Sequence, residues 1–167
     1  MKVKNNPLPI PILDLEKLSD DIIVSLRIQV DKECKKRKIK FSSGDYGEKV
    51  AIDFFNNTPG LENLLKAPTG TKNVDALSRK GDRYSIKTIK DGNKSGTIYP
   101  DRENKEKQLF EYLLIVILND DYELKSLYRL SWKQFWKVKQ WDRTMNAWYL
   151  PKTLKALNEG ECLYEKK

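Results

Sequence analysis

Apolar residues recur at helical spacing along Leu15, Leu18, Ile22, Leu26, Val30 and Cys34, which predicts a long amphipathic helix, and Pro7, Pro9 and Pro11 ahead of it predict an extended arm. The helix closes on the basic run Lys35, Lys36, Arg37, Lys38 and Lys40, a composition that suits a helix C-terminus and equally suits contact with phosphates. Asp45-Tyr-Gly-Glu48 has the D-x-x-E form of a capping box and predicts a second helix to about Phe55, closed by Asn56, Asn57, Pro59 and Gly60. From Asn73 the period changes. Val74 to Ser78 and Arg83 to Ile89, separated by a Lys80-Gly81-Asp82 turn, predict an antiparallel hairpin.

Beyond the polar loop Asp91 to Gly96, Asp101 to about Phe110 reads as a short charged helix and Tyr112 to Leu118 as a strand buried on both faces. Asn119, Asp120 and Asp121 turn the chain into a strand over Tyr122 to Leu130. Ser131-Trp-Lys-Gln134 is a second capping box and opens an aromatic-rich helix. A helix and a short terminal strand are expected after Pro151. The pattern is that of one α/β domain over residues 1–167, a mixed central sheet flanked by helices, with an arm and helix over about residues 1–40.

Composition narrows the chemistry. A chain of 167 residues with 39% hydrophobic residues and four tryptophans can build a core unaided. Thirty-two Lys and Arg against 24 Asp and Glu leave a formal charge of +8, which favours a polyanionic partner. The complete absence of histidine rules out histidine catalysis, and Cys34 and Cys162 are too far apart in sequence for a zinc-binding pair. The longest apolar run, Tyr112 to Leu118, is too short to span a bilayer, and the prolines interrupt any apolar leader, so the expectation is a reduced, cytoplasmic protein with no membrane partner.

The chemistry concentrates in the hairpin. Alternation along the second strand puts Arg83, Ser85, Lys87 and Ile89 on one side and Tyr84, Ile86 and Thr88 on the other, while Asp75 sits across from them in the preceding strand. A carboxylate and an ammonium converging there fit phosphodiester hydrolysis. The segments Asn73-Val74-Asp75 and Arg83-Tyr84-Ser85-Ile86-Lys87 resemble the PD-(D/E)XK nuclease superfamily, and within it the PvuII-like type II restriction endonucleases, in which an Asp on one strand is followed on the next by a (D/E)-x-K tripeptide. The resemblance runs from about Glu48 onward, through Ser126 to Leu130 and Phe135 to Tyr149.

It implies a restriction-endonuclease-like core and a Mg2+-dependent deoxyribonuclease, with Mn2+ as a substitute, acting on double-stranded DNA as a homodimer. Asp75 and the Ile86 carbonyl are then the implied metal ligands, and Lys87 orients or deprotonates the attacking water. Ser85 stands where the family has its acid, so the resemblance implies a carboxylate from elsewhere; Glu48 ranks first and Asp101, Glu103 and Glu111 follow. Glu48 is equally readable as the helix cap. Lys72, Arg79, Lys90 and Lys94 are the expected DNA contacts around the hairpin, and Lys133, Lys137, Lys139 and Arg143 are further phosphate candidates.

Glu123-Leu-Lys125 also spells E-x-K but leaves no room for the strand that should present the first Asp, and reads as a chance match. The four tryptophans read as core rather than base-stacking platforms. Two other functions compete with the nuclease: a catalytically inactive DNA-binding protein on the same scaffold, with Ser85 as the trace of a lost site, and a basic domain for protein contacts.

Overall fold

The computed structural model describes residues 13–39 and 42–166. The chain divides into two compact units, Met1–Lys40 and Phe41–Lys167. The prolines of the expected arm lie outside the described residues.

In the first unit the expected continuous helix is interrupted. A 3-10 turn over Leu15–Lys17 is followed by extended backbone at Leu18 and Ser19, and the helix proper, α1, covers Asp20–Lys36. Ser19 at φ −69° and ψ 155° is the N-cap, with Asp20 and Asp21 in the first turn and Lys35 and Lys36 in the last, as the helix dipole favours. Leu15 and Leu18 therefore fall outside the helical register that the apolar spacing predicted.

The second unit opens with α2 (Ser43–Asn57). Its cap is Ser42, whose Oγ accepts from Asp45 N at 3.0 Å. The expected Asp45–Glu48 capping box is thus corrected: Asp45 is already in the first turn and Glu48 lies beyond it, because the Ser42 hydroxyl reaches that N–H first.

Six strands form one mixed sheet: β1 (Leu64–Lys66), β2 (Ala76–Ser78), β3 (Arg83–Ile89), β4 (Tyr112–Leu118), β5 (Leu124–Ser131) and β8 (Glu161–Glu165), in the order β1-β2-β3-β4-β5-β8. Neighbours are antiparallel except β3 and β4, which run parallel with Ser85 opposite Leu113 and Lys87 opposite Ile115. Between β5 and β8 come α3 (Trp132–Val138), the hairpin β6 (Gln140–Asp142) and β7 (Ala147–Tyr149), and α4 (Leu154–Leu157). The Ser131–Gln134 capping box forms as expected.

Each face of the sheet has its own core. Ala51 and Phe55 of α2 pack on Ala76, Tyr84, Ile86, Leu114, Val116 and Leu127. On the other face Ile89, Leu113, Ile115, Ile117 and Leu130 meet Phe135, Trp148 and Leu157. Covered on both sides, β4 has to be apolar at successive positions, which is why its run is unbroken. The helix α2 approaches β3 so closely that a Cβ on Gly47 would come within 2.8 Å of Thr88 Cβ and Cγ2.

Residues 101–110 contain no helix. Asp101 Oδ1 accepts from Glu103 N and Asn104 N at 3.0 and 3.1 Å, and Asn104 Oδ1 from Glu106 N at 3.0 Å, so short polar side chains take the N–H groups that helical carbonyls would otherwise bind. The strands β1, β6 and β7 were not anticipated. No helix among the described residues is long and apolar enough to cross a membrane.

Candidate active site

Residues Asp75, Ser85, Ile86 and Lys87 come together where β2 begins, beside the middle of β3. Asp75 sits just before β2; its backbone N–H donates to Tyr84 O at 2.8 Å and its carbonyl accepts from Ala67 N at 2.9 Å, which fixes it opposite the middle of β3. Its Oδ2 accepts from Ile86 N at 2.6 Å, Ser85 Oγ at 3.3 Å and Lys87 Nζ at 3.4 Å. Parallel pairing to β4 holds the other edge of β3 and so orients this one.

Burial divides the roles. Ser85 is fully buried, and its hydroxyl is satisfied by Asp75. The side chains of Asp75 and Lys87 are each about a fifth exposed, at 21% and 20%, enough to meet a ligand from solvent while remaining held by the strands. Because N–H and C=O of one strand residue point to the same neighbour, Ile86, whose N–H meets Asp75, turns its carbonyl to the same gap.

The acids considered as the second carboxylate have different surroundings. Glu48, on α2, pairs with Lys66 Nζ at 3.2 Å, and α2 covers the face of β3 that carries Tyr84, Ile86 and Thr88. Glu111 is bound by Arg83 through N, Nε and Nη2 at 2.7, 3.0 and 2.8 Å, and the Arg83 guanidinium holds its carboxyl below the usual range. Asp101 is taken by two backbone N–H groups and by Lys107 at 3.1 Å, which also lower it, and Glu103 is exposed. Among the described residues no group of three Asp, Glu, Cys or His side chains is arranged to hold a metal ion.

The expected DNA contacts also separate. Lys72 and Arg79 are exposed. Lys90 is largely covered, 3.4 Å from Asp91 and 5.1 Å from the Tyr122 ring centroid. Lys94 pairs with Asp142 at 2.7 Å, which raises its pKa, and lies over Tyr149. Lys137 pairs with Glu159, and Lys139 lies 3.8 Å from the Trp136 ring centroid, where burial lowers its pKa. Glu123 of the chance tripeptide is held by Asn119 and Lys166.

Sequence reasoning missed a polar knot behind the site. Tyr84 OH donates to Glu62, and burial, then that bond, push the phenol pKa up. Arg129 lies 4.0 Å from Glu62, pairs with Glu161 at 2.6 Å and stacks over Tyr112. These partners are far apart in sequence, and only the sheet order brings them together. Neither a protein-family profile nor any curated protein matches the sequence.

Proposed function

We propose that Phe41–Lys167 forms a restriction-endonuclease-like core that hydrolyses phosphodiester bonds in duplex DNA, as a cytoplasmic homodimer of the type II restriction enzyme kind. The observation that carries this reading is the convergence of Lys87 Nζ and Ser85 Oγ on one Asp75 oxygen, at the D-x9-S-x-K spacing, with Asp75 and Lys87 each about a fifth exposed. A net charge of +8 supplies the attraction for the polyanion.

The donor set is compatible with Mg2+, or Mn2+ in its place, because such hard ions accept one or two carboxylates and complete their shell with carbonyl and water oxygens. Asp75 and the Ile86 carbonyl would hold it, and Glu48, released from Lys66, is the proposed second carboxylate. When bound, the ion supplies Lewis-acid stabilisation of phosphoryl oxygens and acidifies the attacking water. Lys87 places its amine where negative charge accumulates on the phosphate, and its bond to Asp75 fixes that amine in place. Ser85 and Ile86 N–H hold the Asp75 carboxylate in one orientation.

Purified protein with Mg2+ or Mn2+ should cut plasmid or phage DNA, and Asp75→Ala and Lys87→Ala should each lower the rate by about 10²- to 10⁴-fold with the fold retained. Undiminished cutting in both variants refutes the site. A second reading, a DNA-binding protein that has lost catalysis, is favoured by the hydroxyl of Ser85 at the acidic position and by the engagement of Glu48 with Lys66. Salt-sensitive DNA binding without cutting under any metal would establish it.

A further inference from the structure

The segment that fails to become a helix makes one wall of an open cleft of about 1110 Å3. Its lining comes from Thr71–Val74, from Arg83 at the start of β3, from stretches of the 99–109 segment, and from Trp141 and Asn146 of the β6–β7 hairpin. Asn73, in the left-handed region at φ 58°, donates from Nδ2 to Tyr99 O at 3.2 Å and ties the first wall to the second. The cleft adjoins the candidate site at two points: Val74 precedes Asp75, and Arg83 shares the face of β3 that carries Ser85 and Lys87.

Two properties distinguish this cleft from packing voids. Tyr99 and Trp141 in its wall are 49% and 39% exposed, whereas Trp148 and Phe110 nearby are buried. Its cations outnumber its carboxylates, and Lys72, Arg102 and Lys105 have no carboxylate within ion-pair distance among the described residues. Of the two carboxylates, Asp101 is neutralised by Lys107 and two N–H groups. Lys105 lies 5.7 Å from the Trp141 ring centroid and Trp148 meets the same ring in a T-shaped contact at 6.3 Å, and Trp141 still keeps 39% of its surface exposed to a ligand.

Exposed aromatic faces beside unpaired cations suit a nucleic acid whose bases are unstacked, because a paired duplex hides its base faces and presents only backbone and groove edges. A volume of about 1110 Å3 is ample for one or two nucleotides and too small for the width of a duplex. Resting on the DNA-acting reading above, we propose that the cleft takes one or two unpaired nucleotides of the DNA next to the phosphodiester at Asp75. Tyr99 and Trp141 stack on the bases; Lys72, Arg102 and Lys105 meet the phosphates. The protein is then selective for DNA that is locally opened beside the reacting bond, and not for duplex alone.

The test uses the full chain in EDTA, so that cutting does not intervene, with fluorescein-labelled oligonucleotides read by anisotropy at fixed salt. One probe is a fully paired duplex; the other has the same sequence with two unpaired nucleotides in the middle of one strand. The opened duplex should bind roughly 5- to 150-fold tighter, the advantage expected of one stacked base, and should quench tryptophan fluorescence. In Trp141→Ala and Tyr99→Ala the ratio of the two affinities should fall at least about fivefold, and Trp141→Phe should keep most of it. Both rings are exposed, and thermal melting confirms that each variant folds. Equal affinity for the two probes, or an advantage that survives in the Tyr99→Ala/Trp141→Ala double variant, overturns the assignment while leaving the DNA-acting reading in place. Failure of the wild type to bind either probe overturns both.

Discussion

Substituting Glu111 tests how the start of β3 is held, and the size of the effect follows from the contacts. The carboxylate accepts three bonds from Arg83, at 2.7, 3.0 and 2.8 Å, and one from Gln108 Nε2 at 3.3 Å. Charge-assisted bonds contribute about 1.5–3 kcal/mol each when shielded, but exposed ion pairs about 0–1 kcal/mol. With the two side chains 39% and 31% exposed, solvent screening brings the whole fork to about 1–2 kcal/mol. Glu111→Gln keeps the shape, leaves one acceptor oxygen and sets an NH2 against the guanidinium, so urea unfolding near neutral pH should show a loss of that size with an unchanged slope. Arg83 depresses the Glu111 pKa, so the contribution is complete above the ordinary carboxylate value of 4.5 and is lost as pH falls through the lower folded value. The gap between wild type and Glu111→Gln should therefore close on acidification below about pH 4.5. A loss under about 0.3 kcal/mol, or a gap that widens as pH falls, would refute the assignment of this pair as a clamp.

Gly47→Ala should cost about 1–3 kcal/mol in thermal or urea unfolding, since its Cβ would meet Thr88 Cβ and Cγ2 at 2.8 Å, and Thr88→Ala in that background should return part of it. Thr88→Val should raise stability by about 1 kcal/mol, because the buried Thr88 Oγ1 has no hydrogen-bond partner among the described residues; a loss of stability would reveal a partner. In the cleavage assay Glu48→Gln should lower activity about tenfold or more and Ser85→Glu should restore part of it, whereas Lys66→Met should not mimic Glu48→Gln. Full activity in Glu48→Gln would remove Glu48 from the site.

Elements with strong local signals were legible. The alternation in β3, the unbroken run of β4 and the Ser131 capping box each depend on neighbours in sequence, and they were located to within a residue or so. The hairpin that joins Asp75 to Lys87 was legible for the same reason, since its register follows from the Ser78–Asp82 turn. Where the structure departs from the pattern, a nearer side chain takes the N–H groups: Ser42 rather than Asp45 caps α2, and Asp101 and Asn104 close turns where a helix was expected. The short strands β1, β6 and β7, three residues each, carry too few positions for a period to register. Trp141 could not be separated from the buried Trp148 or the partly buried Trp132 and Trp136, because exposure is decided by the packing of its hairpin.

The one parallel pairing in the sheet has a consequence for the order of assembly. Asp75, Ser85 and Lys87 belong to a hairpin closed by a turn of a few residues, whereas Tyr84 meets Tyr112 only after the chain has looped through the whole segment that lines the cleft. Closing the longer loop costs more entropy before any contact repays it, so the hairpin forms early and the β3–β4 ladder late. In native-state hydrogen exchange the amides of 99–109 should open with free energies well below those of the sheet core. The molecule thus joins two parts of unequal tenacity: a reactive corner written into local sequence, and beside it a wall tied down by contacts made far along the chain.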